Sequence, residues 1–179
     1  QEKAWQRAIA ARERIQRISG EPQGRFIAQY HCELAEVALA EGRDDLVAQH
    51  LAAASENNRN NARVPLIALR AATKRGDNEA AKSALAEILR TRADLSVLVA
   101  DDIVNLYQAL GSPAIAVEQL ALAQQAAPTS LGLSRLVDAS LKIEGRDAAV
   151  ARLKRELTAQ PSARQASRLL ELESNRYEG

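Results

Sequence analysis

The chain has 179 residues, and 36 alanines with 23 leucines make up a third of it. Valine, isoleucine and threonine together number only 22, against a composition rich in strong helix formers, so an all-helical protein is expected and a β-rich one excluded. With 24 basic against 23 acidic residues the net charge is +1, which gives no bulk attraction for nucleic acid, and 3% aromatics leave little for base stacking.

In chain order, residues 2–18 carry Trp5, Ala8, Ile9, Ile15 and Ile18 and read as an amphipathic helix with those residues on one side. The run from Ser19 to Gly24 holds Gly20, Pro22 and Gly24 and reads as a loop. From there a period takes over. Gly42, Gly76, Gly111 and Gly145 are spaced by 34, 35 and 34 residues. Each ends a helical stretch and opens onto polar residues, as in Gly42-Arg-Asp-Asp and Gly76-Asp-Asn-Glu. Glycine accepts the positive φ of a helix-ending turn, Asp, Asn and Ser are good N-caps, and Pro113 suits a first helical position.

A second helix follows each glycine. Its buried face is expected at Val47, Leu51 and Ala54, then Ala81, Leu85 and Ile88, then Ala116, Leu120 and Ala123. In the fourth unit Val150 and Leu157 fit, Lys154 interrupts, and Leu153 takes the buried place. Pro128 stops the third of these helices. Helix–turn–helix units of this length are the mark of tetratricopeptide (TPR) repeats. The expected fold is therefore all-α, a right-handed superhelical solenoid of antiparallel helix pairs forming one array over residues 1–179. Residues 2–18 would be the second helix of a preceding repeat. Repeats would follow at 28–61, 62–96, 97–130 and 131–164, with a terminal helix at 163–176. The competing reading is an irregular helical bundle with evenly spaced glycines.

Motifs for chemistry are missing. The sequence has no glycine-rich phosphate loop, no His-Glu-x-x-His and no nucleophile elbow, so no enzyme is expected. Cys32 is the only cysteine, which leaves neither an internal disulfide nor a cysteine-based metal site. His31 and His50 fall on different helices, and His31 and Cys32 diverge by about 100° on one helix, so no metal or cofactor is expected. Asp101-Asp102 diverge likewise and read as surface charge. No stretch is long and apolar enough to cross a bilayer, and the chain, starting at Gln1, reads as part of something longer.

The expected site is instead a groove. First-helix positions 2, 5, 9 and 12 of a TPR repeat face the concave side. They map to Gln29, Cys32, Glu36 and Leu39, then Arg63, Leu66, Arg70 and Thr73, then Leu98, Asp101, Asn105 and Gln108, then Gly132, Arg135, Ala139 and Lys142. The protein-binding set is taken as Gln29, Glu36, Arg63, Arg70, Asp101, Asn105, Gln108, Arg135 and Lys142. Arg63, Arg70, Arg135 and Lys142 suit a carboxylate-rich peptide. The same charges would also serve simply to solvate an exposed face. Trp5, Phe26, Tyr30 and Tyr107 read as packing between helices. Apolar ends (Trp5 and Ile9, Leu169 and Leu170) would permit self-association.

Particular strings add a resemblance. Trp5-Gln-Arg-Ala-Ile, Tyr30-His-Cys-Glu-Leu-Ala35, Asn61-Ala-Arg-Val64 and Leu106-Tyr-Gln-Ala-Leu-Gly111 occur in an order and spacing that resembles the TPR region of the lipopolysaccharide assembly protein B (LapB) family, over about residues 4–170. The resemblance implies an adaptor on the cytoplasmic face of the bacterial inner membrane. Its implied partners are the protease FtsH, its substrate LpxC, and a membrane regulator of lipopolysaccharide synthesis. The family's membrane helix and its rubredoxin-like Cys-x-x-Cys metal domain have no counterpart in these 179 residues, so no anchoring or metal-binding role passes to any residue here. The alternative is another bacterial TPR scaffold for envelope assembly, secretion or chaperoning. An RNA-binding helical repeat is disfavoured by the charge balance.

Overall fold

A computed structural model describes residues 2–159 and 163–174. The described residues are helical throughout, with short turns and no strand. In chain order the helices are α1 (Glu2–Ser19), α2 (Gly24–Ala40), α3 (Asp44–Asn57), α4 (Arg63–Arg75), α5 (Asn78–Arg92), α6 (Ala100–Ala109), α7 (Pro113–Ala126), α8 (Ser130–Ile143), α9 (Arg146–Ala159) and α10 (Ala163–Ser174). A 3-10 segment, Ala93–Val99, precedes α6, so the first helix expected from residue 97 is short. Residues 160–162 of the fourth expected repeat, and 175–176 of the expected terminal helix, lie outside the described residues. The chain divides after Thr91 into two compact units.

The periodic glycines do what their spacing predicts. Gly42, Gly76, Gly111 and Gly145 have φ of 71°, 72°, 69° and 92°. The first three close their helices with one hydrogen-bond pattern. Around Gly42, the Arg43 N–H donates to the Ala38 carbonyl at 2.9 Å, and the Gly42 N–H to Leu39 at 3.3 Å. Asp77 to Ala72 and Ser112 to Tyr107, both 2.9 Å, repeat the longer bond. These paired bonds satisfy carbonyls that a helix end otherwise leaves without partners. Gly145 departs from the pattern, its N–H donating to Ser140 at 3.0 Å.

Capping is less uniform than expected. Asp77 accepts from the Ala80 N–H at 3.1 Å. Ser112 precedes Pro113 but makes no side-chain cap, and Arg43, not an aspartate, stands before α3. Asp44 and Asp45 lie inside the first turn of α3, where negative charge complements the helix dipole without bonding a particular N–H. Thr129, which the glycine pattern does not mark, caps α8 by accepting from the Gly132 N–H at 2.9 Å.

In the first unit α1 packs on α2, α2 on α3, and α4 on both α2 and α3. Ala28, Cys32, Ala35 and Ala38 of α2 meet Val47 and Ala54 of α3, with Ile67 and Ala71 of α4. Small side chains at helical spacing let the backbones approach closely. Gly24 belongs to the first turn of α2, not to the loop. A Cβ there would overlap the Asn57 carbonyl oxygen at the end of α3.

The reading of α1 needs correction. Trp5, Ala8 and Ile9 are half-buried, but Ile15 and Ile18 are 41% and 76% exposed. Trp5 stacks on Tyr30 at 5.6 Å, which fixes the face turned to α2. At about 100° per residue that face continues through Arg12 and Gln16, leaving Ile15 and Ile18 to the side. Arg12 donates to the Gln23 side chain at 3.1 Å and lies 4.3 Å above the Phe26 ring. Gln16 accepts from the Gln23 N–H at 3.0 Å. Polar groups hold the end of this contact.

In the second unit α6 packs on α7, α7 on α8, α8 on α9, and α9 on α10. Leu133, Val137, Ala149, Leu153 and Leu172 form its end core. The expected burial of Ala116, Leu120 and Ala123 is observed, as is that of Ala81, Leu85 and Ile88 in α5. Buried Ser140 is satisfied by donating to Glu144 at 2.6 Å, and the Arg152 guanidinium closes that group from α9.

Candidate functional site

The expected groove residues separate into two settings. In the first unit they neutralise one another across α2 and α4. Arg63 pairs with Glu33 at 2.6 Å and Glu36 at 3.0 Å. Arg70 lies 3.9 Å from Glu36, and Gln29 donates to Glu33 at 3.1 Å. Burial disfavours the Arg63 charge, but its bonds to the two glutamates prevail and hold its pKa above the usual arginine value. Cys32 and Leu66, mapped to the concave side, are buried at 0% and 6% exposure, because α2 and α4 turn those positions into the helix interface.

Cys32 receives the Asn61 side-chain N–H at 3.5 Å. Burial above all pushes its thiol up to about 11. Only the thiolate is a good nucleophile. In native protein at pH 7–8, Cys32 is therefore expected to resist iodoacetamide and to label fully once urea unfolds the chain. Rapid native labelling, followed by mass spectrometry, would contradict this environment.

In the second unit the expected residues converge on open space. Asp101 and Asn105 lie one turn apart on α6, facing Arg135 and Lys142, two turns apart on α8. Between them is a cleft of about 260 Å³ floored by Ala100, Val104 and Ala139. Ala139, mapped to the concave side but outside the expected binding set, supplies part of that floor. Asp138 also lines the cleft, and its i, i+3 spacing from Arg135 is a signal that the position-by-position mapping passed over. Gln108 is exposed but does not line it.

The charges here are loosely held. Arg135 is 3.7 Å from Asp101, whose side chain is 85% exposed. Asp138 is held by Arg168 of α10 at 3.2 Å. No ion-pair partner of Lys142 occurs among the described residues. An exposed pair at such distance contributes only about 0–1 kcal/mol, so a ligand carboxylate could displace Asp101 at low cost. The arrangement offers two cations, an amide able to donate and accept, and a small-residue floor. Those are the parts needed to hold an extended or helical peptide carrying an acidic side chain.

His31 and His50, expected on separate helices, are brought together, with Nδ1 atoms 3.2 Å apart. No cluster of three or more histidine, cysteine or carboxylate side chains suited to a metal ion occurs among the described residues, around this pair or anywhere else. No helix among them is long and apolar enough to cross a membrane.

Against known proteins, the chain is similar to lipopolysaccharide assembly protein B of Escherichia coli strain K12, at 27% identity over 177 residues. The same identity and span hold for that protein from strains O6:H1 and O157:H7. The alignment covers 97% of this chain but 45% of the relative, so the chain spans less than half the length of the curated proteins it matches. No family model matches it. The resemblance drawn from the short sequence strings thus extends along nearly the whole chain.

Proposed function

We propose that this chain is a protein-binding scaffold, a run of TPR-like helix pairs acting as an adaptor in lipopolysaccharide assembly. Similarity along 97% of this chain to part of a protein named for that assembly supports the role. The observation that carries the binding reading is the α6–α8 cleft, where Asp101, Asn105, Arg135 and Lys142 surround a shallow apolar floor. In this reading the cleft holds an acidic segment of a client, and other surfaces hold a second protein. Keeping both on one scaffold raises their effective concentration for one another. The finer proposal is that FtsH and LpxC are that pair, at the cytoplasmic face of the inner membrane and under a membrane regulator.

The test is charge reversal in the cleft. In the full-length protein carrying this segment, Arg135→Glu with Lys142→Glu should reduce LpxC or FtsH co-purification by about tenfold or more. Arg63→Glu tests the candidate residues of the first unit in parallel. Undiminished capture by the cleft variant, with helicity intact by circular dichroism, would discard the cleft as the docking site.

A further inference from the structure

We propose that His31 and His50 form a two-imidazole chelate for a divalent transition metal, joining α2 to α3. The pair comes from neighbouring helices, 19 residues apart, with Nδ1 atoms at 3.2 Å and ring centroids at 5.4 Å. Without metal, one ring donates its Nδ1–H to the bare Nδ1 of the other. That fixes opposite tautomers, one ring carrying its proton on Nδ1 and the other on Nε2. An ion can take the place of this shared proton. Two nitrogens 3.2 Å apart subtend about 100° at an ion held about 2.1 Å from each, close to the tetrahedral angle zinc adopts. The rings must swing slightly so that both lone pairs meet off the line joining them. The donor ring moves its proton from Nδ1 to Nε2, so each imidazole stays neutral and no net proton is released.

The surroundings admit such an ion. Both histidines are half-buried, which leaves open positions for water. Glu13 acts on His31 and Glu2 on His50, placing negative charge beside the pair. Glu2 also pairs with the opposing cation Arg43 at 3.0 Å, which offsets part of both charges, and Glu41 binds the same guanidinium. Burial lowers the pKa of both rings, and for His31 the neighbouring ring adds to this, so an ion meets neutral imidazoles and displaces no second proton. Imidazole donors favour zinc, copper and nickel over magnesium or calcium.

The experiment titrates chelator-stripped protein with Zn2+, using Mg2+ as the control. Calorimetry should give one zinc per chain, and zinc should raise the thermal midpoint, because it binds only when α2 and α3 are packed. Nitrogen-15 spectra should show both imidazoles ligated through Nδ1. Cu2+ in place of zinc should give an electron paramagnetic spectrum with two coupled nitrogens. His31→Ala and the gentler His50→Gln should each weaken zinc binding by about tenfold or more while circular dichroism stays unchanged. The proposal is overturned by absent saturable binding, by binding that survives both substitutions, or by ligation through Nε2. Any of these would leave a hydrogen-bonded pair only.

Discussion

Leu153→Ala is expected to destabilise the second unit by about 2–5 kcal/mol, read as a fall in the urea midpoint with native helicity retained. Leu153 is fully buried, among Leu133 and Val137 of α8, Ala149 of its own helix and Leu172 of α10. Truncation removes contacts on three sides, and helices α8 and α10 cannot both move in to fill the space. The paired control is Lys154→Ala. Lys154 is exposed and bonds Glu173 at 2.6 Å, so its loss should change stability by well under about 1 kcal/mol. Equal effects at the two positions would mean that α9 is rotated from the phase described.

Ala116→Trp should cost about 1–3 kcal/mol through overpacking. Ala116 has no exposed surface, and α7 is flanked by α6 on one side and α8 on the other. An indole there must push a neighbouring backbone away. Leu122→Trp on the same helix is the comparison, since Leu122 is 56% exposed and its replacement meets solvent. Thermal or urea unfolding of the two variants should separate clearly.

The helix pairs were legible because glycine punctuation and apolar period pointed the same way. The φ values at Gly42, Gly76, Gly111 and Gly145 follow from a turn that only glycine enters easily. Leu153 was legible for a related reason, since a lysine cannot occupy a dry interface and the adjacent leucine can. The phase of α1 was not, because Arg12 and Gln16 continue its contact face with polar groups that a count of apolar residues discounts. The groove was half legible. Helical spacing put Asp101 and Asn105 on one face of α6 and Arg135 and Lys142 on one face of α8, and these faces line one cleft. It could not reveal that Arg63 and Arg70 are met by Glu36, because pairing across helices depends on how two axes are rotated against each other. The same limit hid the His31–His50 contact.

The alanine seam of the first unit carries a consequence for variation. Ala28, Ala35, Ala38 and Ala54 contribute little volume each, so truncation to glycine removes only a methyl group, with the rest of the penalty coming from backbone freedom. Enlargement to valine or leucine would wedge α2 from its neighbours along the whole contact. Substitution tolerance along this seam is therefore lopsided, and drift at these positions should run toward serine and glycine and away from bulk.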